Sequence, residues 1–220
     1  MTFYYSRVLF IWLFPLFSFA QIVDDIIVQP SVNISWQTGN RWSFNSVVEQ
    51  RNSTDDGIDA LHVQAAQFVG YEVGFYSQIG FVVMYRELFD DSRPEEVRFT
   101  EQYVYKRKYN ALKVAHRVRW DQRLRGDRTT HRWRYRFSSS LPLNGFATDV
   151  SEYYLTASLE TVFIAEKAER PGYDQRFSLG LGRQLSKKLK LQLVTEYRFE
   201  DFTAETERLL FLNLGMYYQI

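Results

Sequence analysis

The chain contains no cysteine, and its 220 residues include only three histidines. The absence of cysteine excludes a disulfide framework and thiolate chemistry. The histidines, His62, His116 and His131, are too scattered to form the ligand spacing of a structural metal site. The sequence also lacks a glycine-rich phosphate-binding loop. We therefore expect the protein to use no metal and no cofactor.

Long apolar runs are also missing, except at the N-terminus. There, Arg7 precedes an unbroken apolar run over residues 8–17, and small residues precede Gln21. This pattern is typical of a secretory signal peptide, and the run is too short to span a membrane comfortably as a helix. We predict that residues 1–20 are removed and that residues 21–220 form a single domain.

The chain has almost no net charge, with 27 basic and 26 acidic residues. Loss of Arg7 with the signal peptide would leave 26 of each. Proteins that bind nucleic acids are expected to carry a clear basic excess. The balance therefore argues against a nucleic-acid partner, and it indicates that local basic stretches pair with acids elsewhere in the chain.

The most basic stretch covers residues 116–137 and has eight arginines but only two acids. Charged and apolar residues alternate along it, as in strands whose side chains point to opposite faces, and a break at Gly126 divides it into two arms of a hairpin. One face carries Arg117, Arg119, Asp121 and Arg123 on the first arm and Arg132, Arg134 and Arg136 on the second. The opposite face carries Val118, Trp120, Leu124, Trp133, Tyr135 and Phe137.

Similar alternation recurs along the chain and predicts strands. The predicted strands are 28–37, 41–51, 61–73, 78–88, 97–108, 112–124, 131–140, 151–164, 175–185, 189–199 and 207–219. Most of these segments reach the roughly 9–11 residues that a membrane-spanning strand needs, whereas strands of soluble proteins are usually nearer five or six. Their length therefore favours a transmembrane barrel over a soluble one.

The connections between these segments alternate in length. Tight turns are expected at 38–40, 74–77, 109–111 and 186–188, and longer acidic loops at 52–60, 89–96, 165–174 and 200–206. Short periplasmic turns opposite longer loops are typical of outer-membrane barrels, which in bacterial single chains have an even number of strands. We therefore predict an all-β, antiparallel transmembrane β-barrel of about twelve strands, with residues 22–29 supplying the extra one, and ten strands as the alternative.

The charged faces are expected to line the lumen of this barrel, and the aromatic faces to contact lipid. The predicted lumen-lining residues are Arg117, Arg119, Asp121, Arg123, Arg132, Arg134, Arg136, Glu49, Arg51, Glu160, Glu196 and Arg198. Buried charges must be paired, so this set predicts a near-neutral ladder that fills the lumen or leaves a narrow pore. A selective path for anionic solutes is the alternative interpretation. The paired ladder and the anion path together predict a structural or narrow-pore transport role for the protein.

Two other functions remain open on the sequence. An outer-membrane hydrolase that modifies lipid would need His116 or His131 close to a serine of 138–140 and an orienting acid such as Asp121. A soluble periplasmic barrel that binds a hydrophobic ligand would use the same alternation with its apolar face inside. No spacing of histidine and serine is diagnostic, and we assign no catalytic residue.

Three segments carry a family resemblance: W-S-F-N-S-V-V-E-Q-R (42–51), H-R-V-R-W-D-Q-R-L (116–124) and R-W-R-Y-R-F-S-S-S-L-P-L (132–143). With them the sequence resembles the uncharacterised families of small exported Gram-negative proteins that are described only as domains of unknown function. The resemblance implies an outer-membrane β-barrel, with lipid and the barrel-assembly machinery as its partners. It implies no activity and no functional residues.

Overall fold

The computed structural model describes residues 23–55, 57–90 and 94–220. The predicted signal peptide, residues 1–20, lies outside this range and stays a prediction. Within the described residues, no helix is long and apolar enough to cross a membrane.

The described residues form eleven long strands that close into one barrel. The strands are β1 (Asp25–Thr38), β2 (Trp42–Ser53), β3 (Asp59–Glu72), β4 (Ser77–Leu88), β5 (Glu96–Tyr109), β6 (Leu112–Arg125), β7 (Arg128–Pro142), β8 (Tyr153–Glu166), β9 (Gly172–Gln184), β10 (Leu189–Glu200) and β11 (Glu207–Gln219). Each predicted segment corresponds to one of these strands. We call the end of the barrel with the β2–β3 connection the loop end and the end with the β1–β2 connection the turn end.

The barrel closes through a parallel pair of strands. Consecutive strands pair antiparallel, whereas β1 pairs with β11 in parallel, with Asp25 opposite Leu209 at one limit and Ser35 opposite Gln219 at the other. Both strands run from the loop end to the turn end. An odd number of consecutive antiparallel strands brings its first and last members together in the same direction, so closure requires this parallel seam.

The predictions of twelve and of ten strands were therefore wrong for the described residues, which form eleven. Pro30 does not end a separate short strand, because β1 continues through it and pairs it with Leu214 of β11. Proline has no N–H to donate, and the ladder to β2 accordingly skips Gln29 and Pro30 before it resumes at Ser31. The local gap lets a proline lie within a strand of a closed sheet.

The barrel is polar inside and apolar outside. Among the described residues, six hydrophobic side chains are buried, compared with seventeen that are polar or charged. Large apolar side chains face outward, as Leu179 shows with 64% of its surface exposed and Val48 with 54%. A soluble barrel would place these side chains in its core. This arrangement is the one expected of a barrel surrounded by lipid.

Aromatic side chains gather on the outer surface near both ends. Near the turn end, Trp36 stacks on Phe44, and the ring centroids of Trp42 and Tyr71 are 4.8 Å apart. Near the loop end, a continuous row of ring contacts joins Trp120, Trp133, Phe163, Tyr173 and Phe202. Aromatic girdles at the two membrane interfaces have this distribution.

The parallel seam can be tested with an engineered disulfide, because the chain has no cysteine of its own. Asn33 and Tyr217 lie directly opposite each other on β1 and β11. Adjacent strands place paired residues within the Cα separation that a disulfide tolerates. We expect the double variant Asn33→Cys/Tyr217→Cys to form the intramolecular bond on mild oxidation, as measured by mass spectrometry of the cleaved protein.

The matched control for this variant is Asn33→Cys/Asn213→Cys. Asn213 lies on the same strand but pairs with Gln29, four residues out of register with Asn33, about 13 Å along the strand. This control is expected to stay reduced. Equal cross-linking in both variants, or none in the first, would contradict the parallel closure.

Candidate functional site: the charged lumen

The lumen contains one large cavity of about 1830 Å³. Its lining residues come from near both ends of the barrel, with Lys113 and Ser140 close to the turn end and Asp90 and Arg128 at the loop end. A second cavity, on the outer side of the sheet near Leu181 and Leu193, has Arg183 as its one charged lining residue among those described, and so the lumen is the candidate functional site.

Most of the predicted lumen residues line this cavity directly: Glu49, Arg51, Arg117, Arg119, Arg123, Arg132, Arg134, Arg136, Glu196 and Arg198. The other two, Asp121 and Glu160, lie behind the arginines and are 0% and 1% exposed. The structure therefore brings the predicted residues together around one space. Their role in function stays a prediction.

Glu96 forms the centre of an ion-pair cluster near the loop end. It is completely buried and lies between Arg86 of β4 and Arg125 of β6. The Nε atom of Arg125 donates a hydrogen bond of 2.6 Å to Glu96 Oε2, and the Arg98 guanidinium also binds this carboxylate. Arg123 Nε lies 3.9 Å from Glu96 Oε1 and Arg86 Nη1 lies 3.7 Å from Oε2. One carboxylate thus neutralises part of the charge of four arginines.

Glu160 of β8 forms a second cluster near the middle of the lumen. Arg136 Nε donates a hydrogen bond of 2.7 Å to Glu160 Oε2. Arg117, Arg134 and Arg176 each place a terminal nitrogen 3.6–3.7 Å from the same carboxylate. Because the strand register puts Arg136, Glu160 and Arg176 side by side on β7, β8 and β9, the cluster follows directly from the pairing of these strands.

Further acids connect these clusters to the rest of the wall. Asp121 binds the guanidinium of Arg134 and accepts a hydrogen bond of 2.7 Å from the Thr100 hydroxyl. Asp174 accepts a bond of 2.9 Å from Arg176, and Glu196 accepts one of 2.6 Å from Arg198. Charge-assisted bonds of this kind are stronger than bonds between neutral groups. The network therefore holds long arginine side chains in defined positions.

Glu49 and Arg51 have partners that the predicted ladder did not include. Glu49 accepts a hydrogen bond of 2.6 Å from the Gln64 amide, and Arg51 donates one of 3.1 Å to Gln29. Arg51 also lies over the ring of the buried Phe211, as does Arg198, whose guanidinium carbon is 3.5 Å from the ring centroid. For Glu49 and Arg51, amide and aromatic contacts therefore take the place of an ion pair within 4.0 Å in the described part of the chain.

The charged wall is basic and not near-neutral as expected. Among the described residues, fifteen basic and seven acidic side chains line the cavity, and the buried Asp121, Glu160 and Asp174 raise the acids to ten. Arg119 and Arg132 have no carboxylate oxygen within 4.0 Å in the described part of the chain. The acids that balance the whole protein lie mainly in the loops, and so the lumen keeps an excess of five basic groups.

The sequence analysis missed several members of the clusters. It placed Glu96 and Asp174 in acidic loops, whereas Glu96 begins β5, Asp174 is the third residue of β9, and both are buried. It also left out Arg86, Arg98 and Arg176. Each of them lies an even number of residues from the other lumen-facing residues of its own strand. The two-residue period of β4, β5 and β9 was the available signal for these arginines.

The histidines and serines of the hydrolase alternative are not brought together. His116 faces outward, where its Nδ1 lies 2.8 Å from the Tyr135 hydroxyl and its ring contacts Phe137. His131 stacks between Trp120 and Trp133 on the same outer face. Asp121 lies on the opposite side of the sheet, bound to Arg134, and cannot orient either ring. The described residues therefore contain no triad built on these side chains.

This architecture defines an outer-membrane-type β-barrel, and a solved structure supports that class. The structure described as a bacterial polysaccharide outer membrane secretin aligns with a TM-score of 0.56 at 11% identity, covering 84% of this chain and 67% of its own. The siderophore receptor PirA from Pseudomonas aeruginosa aligns with a TM-score of 0.31 at 12% identity, covering 76% and 32%. At such identities the likeness concerns the fold alone.

The chain belongs to the family described as protein of unknown function (DUF2490), whose model matches residues 30–208. The predicted membership of an uncharacterised barrel family is thereby confirmed. The comparison with curated proteins found no match.

We expect Glu96→Gln to destabilise the barrel, because it leaves three buried arginines and the half-exposed Arg125 without their shared counter-charge. Breaking a buried ion pair by removing one partner costs about 3–5 kcal/mol. The measurement is urea unfolding of the protein in lipid vesicles, followed by tryptophan fluorescence. Glu205→Gln, which removes an exposed acid of the β10–β11 loop, is the control and should leave the midpoint unchanged. Equal midpoints for the two variants would show that Glu96 does not hold the cluster together.

Proposed function

We propose that the protein is an outer-membrane β-barrel whose lumen provides a narrow path for anionic solutes. The observation that carries this proposal is the basic excess of the cavity wall, where Arg51, Arg119 and Arg132 have no carboxylate oxygen within 4.0 Å among the described residues. These three arginines are half-buried. A wall whose only purpose was structural would be expected to pair them, since charges that are shielded from water and unpaired are costly. An anion in the lumen would supply the missing counter-charge.

The proposed location rests on three features that agree. The predicted signal peptide would export the chain, the outer surface is apolar, and aromatic side chains surround both ends of the barrel. The solved structure with which the chain shares its fold is described as an outer-membrane protein. A barrel with these properties would have outer-membrane lipid around it and would need the barrel-assembly machinery for insertion.

The two mouths of the cavity differ in charge. Lys106 and Lys113 are the charged side chains that line it at the turn end of the described barrel. At the loop end the lining includes four acids, Asp90, Asp127, Glu166 and Glu200, beside Arg125 and Arg128. Charged mouths concentrate ions of the opposite sign. The turn-end mouth would therefore attract anions more strongly than the loop-end mouth.

Planar-bilayer recording tests the proposed path. Under a gradient of KCl we expect a small conductance whose reversal potential has the sign of chloride permeation. Neutralising two arginines that lack carboxylate partners, in the double variant Arg51→Gln/Arg132→Gln, should move the reversal potential toward zero because it lowers the fixed positive charge. Arg170→Gln, in the exposed β8–β9 loop, is the matched control and should behave like the unchanged protein.

Two results would contradict this function. Cation selectivity would show that the acids and not the arginines determine the field in the lumen. Absence of any conductance from correctly folded protein would leave a closed charge ladder with a structural role. Release of the native protein by osmotic shock alone would separately contradict the location in the membrane.

A further inference from the structure

Three pairs of arginines lie directly opposite each other on β6 and β7, one at the loop end (Arg125 and Arg128) and two in the middle of the lumen. Arg117 pairs with Arg136, and Arg119 pairs with Arg134. Like charges in directly opposed positions destabilise a sheet. The nearby acids, Asp121 and Glu160, only partly offset this, since Glu160 is shared with Arg176 on the next strand. The mid-lumen wall therefore carries a concentration of positive charge at a cost in stability.

Arg119 is the member of this group that is held in place without being neutralised. Its Nε donates a hydrogen bond of 2.8 Å to the Gln102 side-chain oxygen. In the described part of the chain its terminal nitrogens have no ion pair, and the residue lines the cavity. Arg117 is only partly neutralised, because its 3.6 Å contact is with a Glu160 carboxylate that three other arginines share, and its Nε has no hydrogen-bond partner among the described residues. These guanidinium groups are positioned to bind an anion from the lumen.

On β7, β8 and β9, the wall on the turn-end side of these arginines carries small, uncharged side chains. Ser138, Ser158 and Ser178 lie in register on three neighbouring strands, one layer below Arg136 and Glu160. The next layer is formed by Ser140, Thr156 and Gly180, and the Gln192 amide donates a hydrogen bond of 2.8 Å to the Thr156 hydroxyl. Small side chains leave space in the lumen, and their hydroxyl and amide groups bind hydroxyl groups well.

We propose that this region of the lumen is a binding site for carboxylated sugars. The sugar carboxylate binds the guanidinium groups of Arg119 and Arg117, for which bidentate pairing is favourable. The ring hydroxyls hydrogen-bond to the serine wall at Ser138 and Ser158 and to the Gln192 amide. This inference rests on the proposed anion path and names the class of solute that the path accepts.

Other anions fit this combination less well. A small inorganic anion would use the arginines but not the row of hydroxyl groups. A fatty acid would require an apolar wall next to the arginines, where the structure has serine and threonine. A neutral sugar would use the hydroxyl wall and leave the arginines without a counter-charge. A sugar acid uses both parts of the site.

Equilibrium binding to the purified full chain in detergent tests the site, with isothermal titration calorimetry as the measurement. The probes are D-glucuronate, the uronate trimer trigalacturonate, D-glucose and acetate. We expect both sugar acids to bind. Glucose and acetate should bind about tenfold more weakly or worse, because glucose lacks the charge-assisted bonds to the arginines and acetate lacks the hydrogen bonds to the hydroxyl wall. Tighter binding of the trimer would indicate that the natural ligand is a polysaccharide. Equal binding of the trimer and the monomer would indicate a free sugar acid.

Arg119→Gln is expected to weaken glucuronate binding at least about tenfold, the effect of losing a charge-assisted bond. Because it also removes a like-charge pair, it should leave the unfolding midpoint equal or higher, which separates loss of the site from loss of the fold. Ser138→Val should weaken glucuronate binding but not acetate binding. Arg41→Gln, at the exposed turn-end rim, is the control and should change neither.

Glucuronate binding that is no tighter than acetate binding, or that Arg119→Gln leaves unchanged, would overturn the inference. Failure of this binding site can be told apart from failure of the proposed anion path. An anion-selective conductance without glucuronate binding would overturn the site and leave the path. Glucuronate binding by a protein that conducts no ions would support the site and contradict transport.

Discussion

The burial of carboxylates among arginines inside a closed sheet is the interaction on which the rest of the structure depends. Glu96 and Glu160 each contact four arginines and have almost no exposed surface. A barrel surrounded by lipid cannot place its charged side chains on the outer face, where they would contact the hydrocarbon. The ion pairs therefore fix the inward side chains, and the outer face is left to the aliphatic and aromatic residues.

The basic excess of the lumen is not explained by stability alone. Arginines that share a carboxylate are held rigidly, whereas Arg119 is oriented by the neutral side chain of Gln102 and keeps its charge available. The lumen therefore contains arginines that are fixed by ion pairs and others, such as Arg119, that have no carboxylate within 4.0 Å among the described residues. Functional sites commonly violate the rules that favour stability, and the opposed pair of Arg119 and Arg134 is such a violation.

Alternation along the sequence was sufficient to predict the strands and the face on which Arg117 and Arg134 lie, because side-chain direction in a strand is a local property. Closure was not predictable in this way: the parallel pairing of β1 with β11 depends on contacts between the two termini of the barrel. Glu96 was misplaced because an acid next to other acids at a strand end has the pattern of a solvated loop. Its burial arises from arginines on neighbouring strands, which local pattern does not reveal.

The central claim, that the lumen is a cationic space with unneutralised arginines, is tested most directly by anomalous diffraction from crystals of the protein soaked in iodide. The account predicts iodide peaks inside the barrel beside the guanidinium groups of Arg119 and Arg132, and none beside Glu96 or Glu160. A lumen without bound iodide, with both arginines paired to carboxylates, would contradict it.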